Sequence, residues 1–225
     1  MNKRTTITTL VLVAIIGVVA TLWFKRGSTS NLKQFEALGE VAAQETAKLI
    51  GGSGEIVLIV PDFGESKNQT QDAQMSSFLN ELKRQKGVTI AGVEKVNLAP
   101  PQSSTKPGKL RFFEPTTGGP PLSQPGQLSQ LVNTYAQAKA IVAFMDLPPL
   151  GDADIPTLKD RGTKLVVVSD YKDGYKALLQ AEVLHLAIVP RWEPLPETGK
   201  KPRTMKDWFD RSYTVITPEK AEEMP

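Results

Sequence analysis

Apolar residues run along this chain in two rhythms, and one long stretch follows neither. Residues 5–24 (TTITTLVLVAIIGVVATLWF) carry no charge and are apolar apart from threonines and Gly17. About 20 such residues, at about 1.5 Å rise each, span a hydrocarbon core of about 30 Å. A transmembrane helix is therefore expected, with Leu10, Val13, Ile16, Trp23 and Phe24 as anchor residues. Trp23 and Phe24 suit the headgroup interface, and Lys25 and Arg26 can snorkel to phosphates. A short tail bearing Lys3 and Arg4 stays inside, so the rest of the chain is expected outside the cytoplasmic membrane of a bacterium. The competing reading is a cleaved signal peptide, with small residues at Val18-Val19-Ala20.

Beyond this stretch the helical and strand rhythms alternate. Residues 27–30 form a spacer, and Leu32, Phe35, Leu38, Ala42 and Leu49 then fall on one helical face, stopped by Gly51-Gly52. Residues 55–60 (EIVLIV) are a continuous apolar run rich in β-branched residues, the pattern of a strand buried on both faces. A helix over 70–86 turns Met75, Phe78, Leu79 and Leu82 inward, and a strand over 88–98 follows. Later come a helix over 127–139, a strand over 140–145, a short helix over 154–160 and a strand over 164–168. A helix through 175–179 and a strand over 183–189 complete the alternation. This order predicts an α/β fold with a doubly wound, mostly parallel sheet of five to six strands, in the order 2-1-3-4-5 with right-handed crossovers.

Two segments break the rhythm. Residues 99–126 hold seven of the 17 prolines, a density that argues for a long insertion rather than a core element. Within it, Leu110, Phe112 and Phe113 are expected either to close a sheet edge or to dock a partner. The tail from Glu193 is rich in Pro, Lys and Glu, and Trp208 and Phe209 are its candidate partner contacts. One helical turn over 205–209, an edge strand over 213–217 and a final short helix begun by Pro218 are expected there. The chain thus divides into an anchor (1–26), a spacer with a leading helix (27–54), an α/β domain with its Pro-rich insertion (55–192) and a C-terminal extension (193–225).

Charge and composition narrow the chemistry. The net charge of +3 comes from the anchor flanks, since the chain after residue 26 carries 23 basic and 24 acidic side chains. No nucleic-acid footprint results. With no cysteine there is no disulfide, thiolate metal site or thiol nucleophile. His185, the one histidine, sits in an apolar run and reads as a packed residue rather than a base. Gly51-Gly52-Ser53-Gly54 precedes a strand, whereas a phosphate-cradling loop must follow one, so it reads as a turn. Asn68-Gln69-Thr70 is a formal glycosylation sequon of little weight. Neither a cofactor, a metal site nor an enzymatic activity is expected.

In an open parallel sheet, ligands bind beyond the carboxyl ends of the strands. Those ends carry Asp62, Asp146, Ser169, Asp170 and Arg191. They are the candidate ligand-binding residues, although aspartates at strand exits also cap turns and helices. The segment AKAIVAFMDLPPLGDADIPTLKDRGTKLVVVSDY (138–171) resembles type I periplasmic solute-binding proteins, and so does EIVLIVPDFGES (55–66). The matching pieces are a strand ending in Asp146, a short helix closed by Gly162, and a strand ending in Asp170, and the likeness covers roughly 55–191. The resemblance implies one lobe of a fold that holds its ligand between two.

Two functional readings follow. The first is a single-pass, non-catalytic structural or accessory subunit of a membrane-protein complex. The second is an extracytoplasmic ligand-binding or sensory domain that uses the strand-end rim for a small molecule. The full-length apolar run predicts that the anchor is retained. An intact-mass measurement on the native protein is expected to include residues 1–24, and a mature chain starting at Thr21 would show the signal-peptide reading to be right.

Overall fold

A computed structural model of the chain describes residues 32–63, 67–97, 125–171, 174–193 and 202–224. The anchor residues Leu10, Val13, Ile16, Trp23 and Phe24 lie outside the described residues, as do Phe112, Phe113 and nearly all of the Pro-rich insertion. Among the described residues no helix is long and apolar enough to cross a membrane.

Helix α1 (Lys33–Leu49) precedes strand β1 (Gly54–Asp62). There follow α2 (Gln69–Arg84), β2 (Val88–Asn97), α3 (Gln127–Thr134), β3 (Ala138–Ala143), α4 (Asp154–Arg161) and β4 (Lys164–Val168). The last elements are α5 (Tyr175–Gln180), β5 (Leu186–Pro190), α6 (Met205–Ser212), β6 (Tyr213–Ile216) and a 3-10 helix over Pro218–Glu223. The six strands form one sheet in the order β2-β1-β3-β4-β5-β6. All neighbours run parallel except β6, which is antiparallel to β5.

Successive side chains of the central strands point to opposite faces. Ile56, Leu58 and Val60 of β1 join Ala140 and Val142 of β3 and Val166 and Val168 of β4 in one core, covered by α1, α2 and α6. Val57 and Ile59, with Ile141 and Ala143 and with Leu165 and Val167, face a second core under α3, α4, α5 and the 3-10 helix. Burial on both faces explains why these strands are continuously apolar.

Three elements differ most from their sequence expectations, each for a local reason. The strand expected over 183–189 begins at Leu186. Val183 and Leu184 instead donate backbone hydrogen bonds to the Leu178 carbonyl at 2.9 and 3.0 Å, closing α5 after Glu182 takes a left-handed conformation. The helix expected over 127–139 ends at Thr134. The Tyr135 ring lies over Gly92, and its hydroxyl donates to Glu94 Oε1 at 2.7 Å. The single turn expected at 205–209 is an eight-residue helix set by a capping box, in which Thr204 Oγ1 accepts from the Asp207 amide at 3.1 Å and Asp207 Oδ2 accepts from the Thr204 amide at 2.9 Å. The tail also adds core: Phe209, Tyr213, Ile216, Ala221 and Met224 are all buried.

Helices α1 and α2 cross at Gly39. A Cβ there would sit 2.0 Å from the Gln74 carbonyl oxygen and 2.9 Å from the Phe78 amide nitrogen. Both obstacles are backbone, so neither can swing aside. Gly39→Ala gains about 1 kcal/mol of helix propensity but must push two helices apart, an overpacking cost of about 1–3 kcal/mol. A net loss of melting temperature is expected in thermal unfolding. A more stable variant would show that the crossing has slack.

Candidate functional site

The loops leaving β1, β3 and β4 open toward the same end of the sheet, where α1 and the first turns of α2 meet them. They enclose a cleft of about 340 Å³. Phe35 and Leu38 come from α1, and Pro61 and Phe63 from the end of β1. Asn68, Thr70, Gln71 and Gln74 come from the start of α2. Phe144, Met145 and Asp146 follow β3, and Val168 to Tyr171 end and follow β4. Phe144 is fixed from below by Phe78, which meets it edge to face with centroids 4.9 Å apart.

The polar groups of the cleft are held by one another. Asp146 Oδ1 accepts hydrogen bonds from the Ser169 hydroxyl and, at 2.7 Å, from the Tyr175 hydroxyl. Ser169 Oγ in turn accepts from the Tyr171 amide at 2.9 Å. Two strand exits are thereby tied together, while the Ser169 amide bonds the Ile188 carbonyl at 3.1 Å. Across the cleft, Asn68 Oδ1 accepts from the Gln71 amide at 3.2 Å and from Thr70 Oγ1 at 2.6 Å. The sequon asparagine is thus the N-cap of α2. The Nε2 of Gln71 is buried without a hydrogen-bond partner.

Of the five sequence candidates, Asp146, Ser169 and Asp170 line the cleft together. Asp62 does not line it, although its neighbours Pro61 and Phe63 do. Arg191 is turned away, with its Nε donating to the Asp210 carbonyl and its amide to the Ser212 carbonyl at 2.9 Å, so it closes the end of α6. The two candidate partner contacts of the tail pack on their own domain. Phe209 is buried, and Trp208 is partly buried against the same core. His185 lies just before β5, where its Nδ1 accepts from the Leu165 amide at 3.3 Å. Burial, and then the neighbouring Lys164, hold its pKa below the usual histidine value. Among the described residues no group of His, Cys, Asp and Glu could hold a metal ion.

Sequence reasoning missed Phe35, Phe63, the polar residues of α2, and Tyr171 and Tyr175. The helix signal of α2 was plain, but only the sheet order shows that its first turn faces the exits of β3 and β4. For Phe63 and Tyr171 a signal existed: each immediately follows a strand-terminal aspartate.

Asp170 stands exposed at the rim, yet partial desolvation by the cleft walls raises its carboxyl above the usual carboxylate range, and the nearby Asp146 carboxylate adds to the rise. Burial chiefly, and also the bond to Asp146, push the Tyr175 phenol up, while Ser169 opposes this. Tyr213 is pushed up to about 12 by burial and then by Asp170. Because protonated Asp170 is favoured in the fold, its contribution is fully present below the unfolded carboxyl value of about 3.9 and is lost as pH rises through the raised folded value. Asp170→Asn is therefore expected to melt higher than the parent at pH 7, by on the order of 1–3 °C. The gap should shrink as the pH falls toward 4. A gap independent of pH would show that Asp170 feels neither burial nor Asp146.

No protein-family model matches the chain, and no curated protein sequence matches it. Solved structures do match its fold. An arabinose-binding protein from Geobacillus stearothermophilus is 14% identical, with a TM-score of 0.52, over 85% of this chain and 63% of its own. The sugar-binding protein of a sugar ABC transporter from Bacillus halodurans is 13% identical, with a TM-score of 0.51, over 85% of this chain and 64% of its own. The chain thus spans under two thirds of the length of these structures. At such identities the likeness is one of fold, and the resemblance read from the strand exits is upheld at that level: the chain has a periplasmic-binding-protein-like α/β fold.

Proposed function

We propose that this chain is an extracytoplasmic, non-catalytic domain that binds a small polar molecule in the cleft at the carboxyl ends of β1, β3 and β4. The observation that carries this reading is the convergence of Asp146, Ser169 and Asp170, from two different strand exits, on one cleft lined by aromatic rings. Open α/β sheets place ligands there because the chain diverges at the strand ends and leaves a crevice. A volume of about 340 Å³ suits a small ligand, near the lower end of the usual range of about 300–1,000 Å³. The fold shared with two sugar-binding proteins supports the same reading. The sequence-derived anchor at residues 5–24 would hold the domain on the outer face of the cytoplasmic membrane. The accessory-subunit reading draws no support from the described part of the tail, whose aromatic residues pack inward.

The chemistry of the rim supports the non-catalytic reading. Ser169 donates to the Asp146 carboxylate rather than to a histidine, and the one histidine accepts from a strand amide instead. The Ser169–Asp146 bond is therefore a positioning device that fixes a carboxylate at the ligand site.

The test is thermal unfolding of the full chain in mild detergent against sugars, amino acids, amines and small organic acids. A true ligand at 100-fold excess over its Kd adds about 2.7 kcal/mol, which is several degrees for a domain of this size. Ser169→Ala frees Asp146 to move and is expected to weaken that ligand about tenfold. If no solute raises the melting temperature, or if Ser169→Ala leaves the affinity of the one that does unchanged, the cleft is not the binding site.

A further inference from the structure

The chemistry of the cleft also selects the charge of its ligand. Its lining contains two carboxylates, Asp146 and Asp170, and among the described residues no lysine, arginine or histidine. Asp146 is satisfied on one oxygen by hydroxyl groups, which supply hydrogen bonds but no positive charge. The N-terminus of α2 also faces the cleft, yet a helix end carries only about half a positive charge, and the Asn68 side chain already meets the Gln71 amide. Two carboxylates outweigh it.

The aromatic residues add an independent observation. Three large hydrophobic residues are exposed among the described ones: Phe63, Val93 and Tyr171. Two of the three, Phe63 and Tyr171, are aromatic and stand at this cleft, with Tyr171 68% exposed. Aromatic rings beside carboxylates attract a cation through both the ring quadrupole and the charge.

Resting on the ligand-binding reading above, we propose that the cleft takes an organic cation, an amine, guanidine or quaternary ammonium group, seated between Asp146 and Asp170 and covered by the rings of Phe63 and Tyr171. A bound cation relieves the repulsion that helps raise the Asp170 carboxyl, so binding and the charge state of the pair reinforce each other. A neutral polyol would use the same hydrogen-bond acceptors but would leave the charge of both carboxylates without a counter-charge.

The experiment measures binding of agmatine, choline and D-arabinose to the full chain by calorimetry, at about 20 mM and about 500 mM salt. Agmatine or choline is expected to bind at least tenfold more tightly than D-arabinose, with the advantage reduced at high salt as screening of a charged contact requires. Asp170→Asn is expected to weaken the cation about tenfold and to leave D-arabinose unaffected. Tyr171→Ala, at an exposed position that does not endanger folding, is expected to weaken the cation severalfold. If D-arabinose binds as tightly as the cations and Asp170→Asn changes nothing, the cation inference is overturned while binding in the cleft stands. If a cation binds and neither substitution weakens it, the cation sits elsewhere and this inference fails. If none of the three probes binds, the cation inference again fails, and the wider solute screen then decides whether binding in the cleft fails with it.

Discussion

Strands β1, β3 and β4 are buried on both faces, and the rest of the structure answers to that. A strand apolar on both sides must be covered on both sides, so helices are needed above and below the sheet. Parallel neighbours in turn require crossovers long enough to hold those helices. The two cores that result share no strand face: Ile56 and Leu58 belong to one and Val57 and Ile59 to the other. Wherever the cover is thin, the backbones must come closer. Gly39 permits this between α1 and α2, while Gly92 leaves room for the Tyr135 ring over β2.

The same constraint places the polar chemistry. Within the sheet the central strands leave no room for a polar side chain, so hydrogen-bonding groups collect where the strands end. Ser169 is buried at the end of β4 and can be so because Asp146 accepts its hydrogen bond and Tyr171 supplies an amide. The cleft opens where β3 and β4 end, beside the longer β1 and the flanking α1 and α2. Its floor is core material, Phe144 on Phe78, and its walls are the strand-exit loops together with one face of α1 and the first turns of α2. That division gives a rigid base with polar groups held in register above it, which suits binding by preorganised contacts.

The central strands were legible in the sequence because a doubly buried strand has one signature: a short, unbroken, β-branched run. EIVLIV and KLVVV could hardly be anything else. The edges were harder. Val183 and Leu184 look like strand residues but serve as the plug that closes α5, and only the backbone bonds to Leu178 reveal it. In the tail, Phe209, Tyr213 and Ile216 look sparse among Lys, Pro and Glu, yet a short helix and a short strand bring them to one side. The Thr204-x-x-Asp207 capping box was the readable signal there. In the candidate site, the aspartates after β3 and β4 were legible from strand ends alone. Arg191 occupies an equally good position in the sequence but follows β5, where α6 offers its last carbonyl groups, and it turns toward them. Which strand-end residues converge depends on what packs beside each exit, and no local pattern encodes that.

A comparison within the molecule separates architecture from candidate chemistry. Asp154 is completely buried and accepts from the backbone amides of Gly126 at 3.0 Å, Ser129 at 2.6 Å and Gly151 at 2.6 Å. Both its oxygens are used, and it ties the start of α3 to the start of α4. This is how a carboxylate is retained in a core: its charge is met by fixed amide dipoles pointing at it. Asp146 and Asp170 are treated differently. They lie close enough to repel, they face a cleft rather than a helix end, and no cation among the described residues lines that cleft with them. Asp154 is matched entirely by the protein, whereas Asp146 and Asp170 stand exposed at the rim of the cleft, where solvent or a ligand can meet their charge.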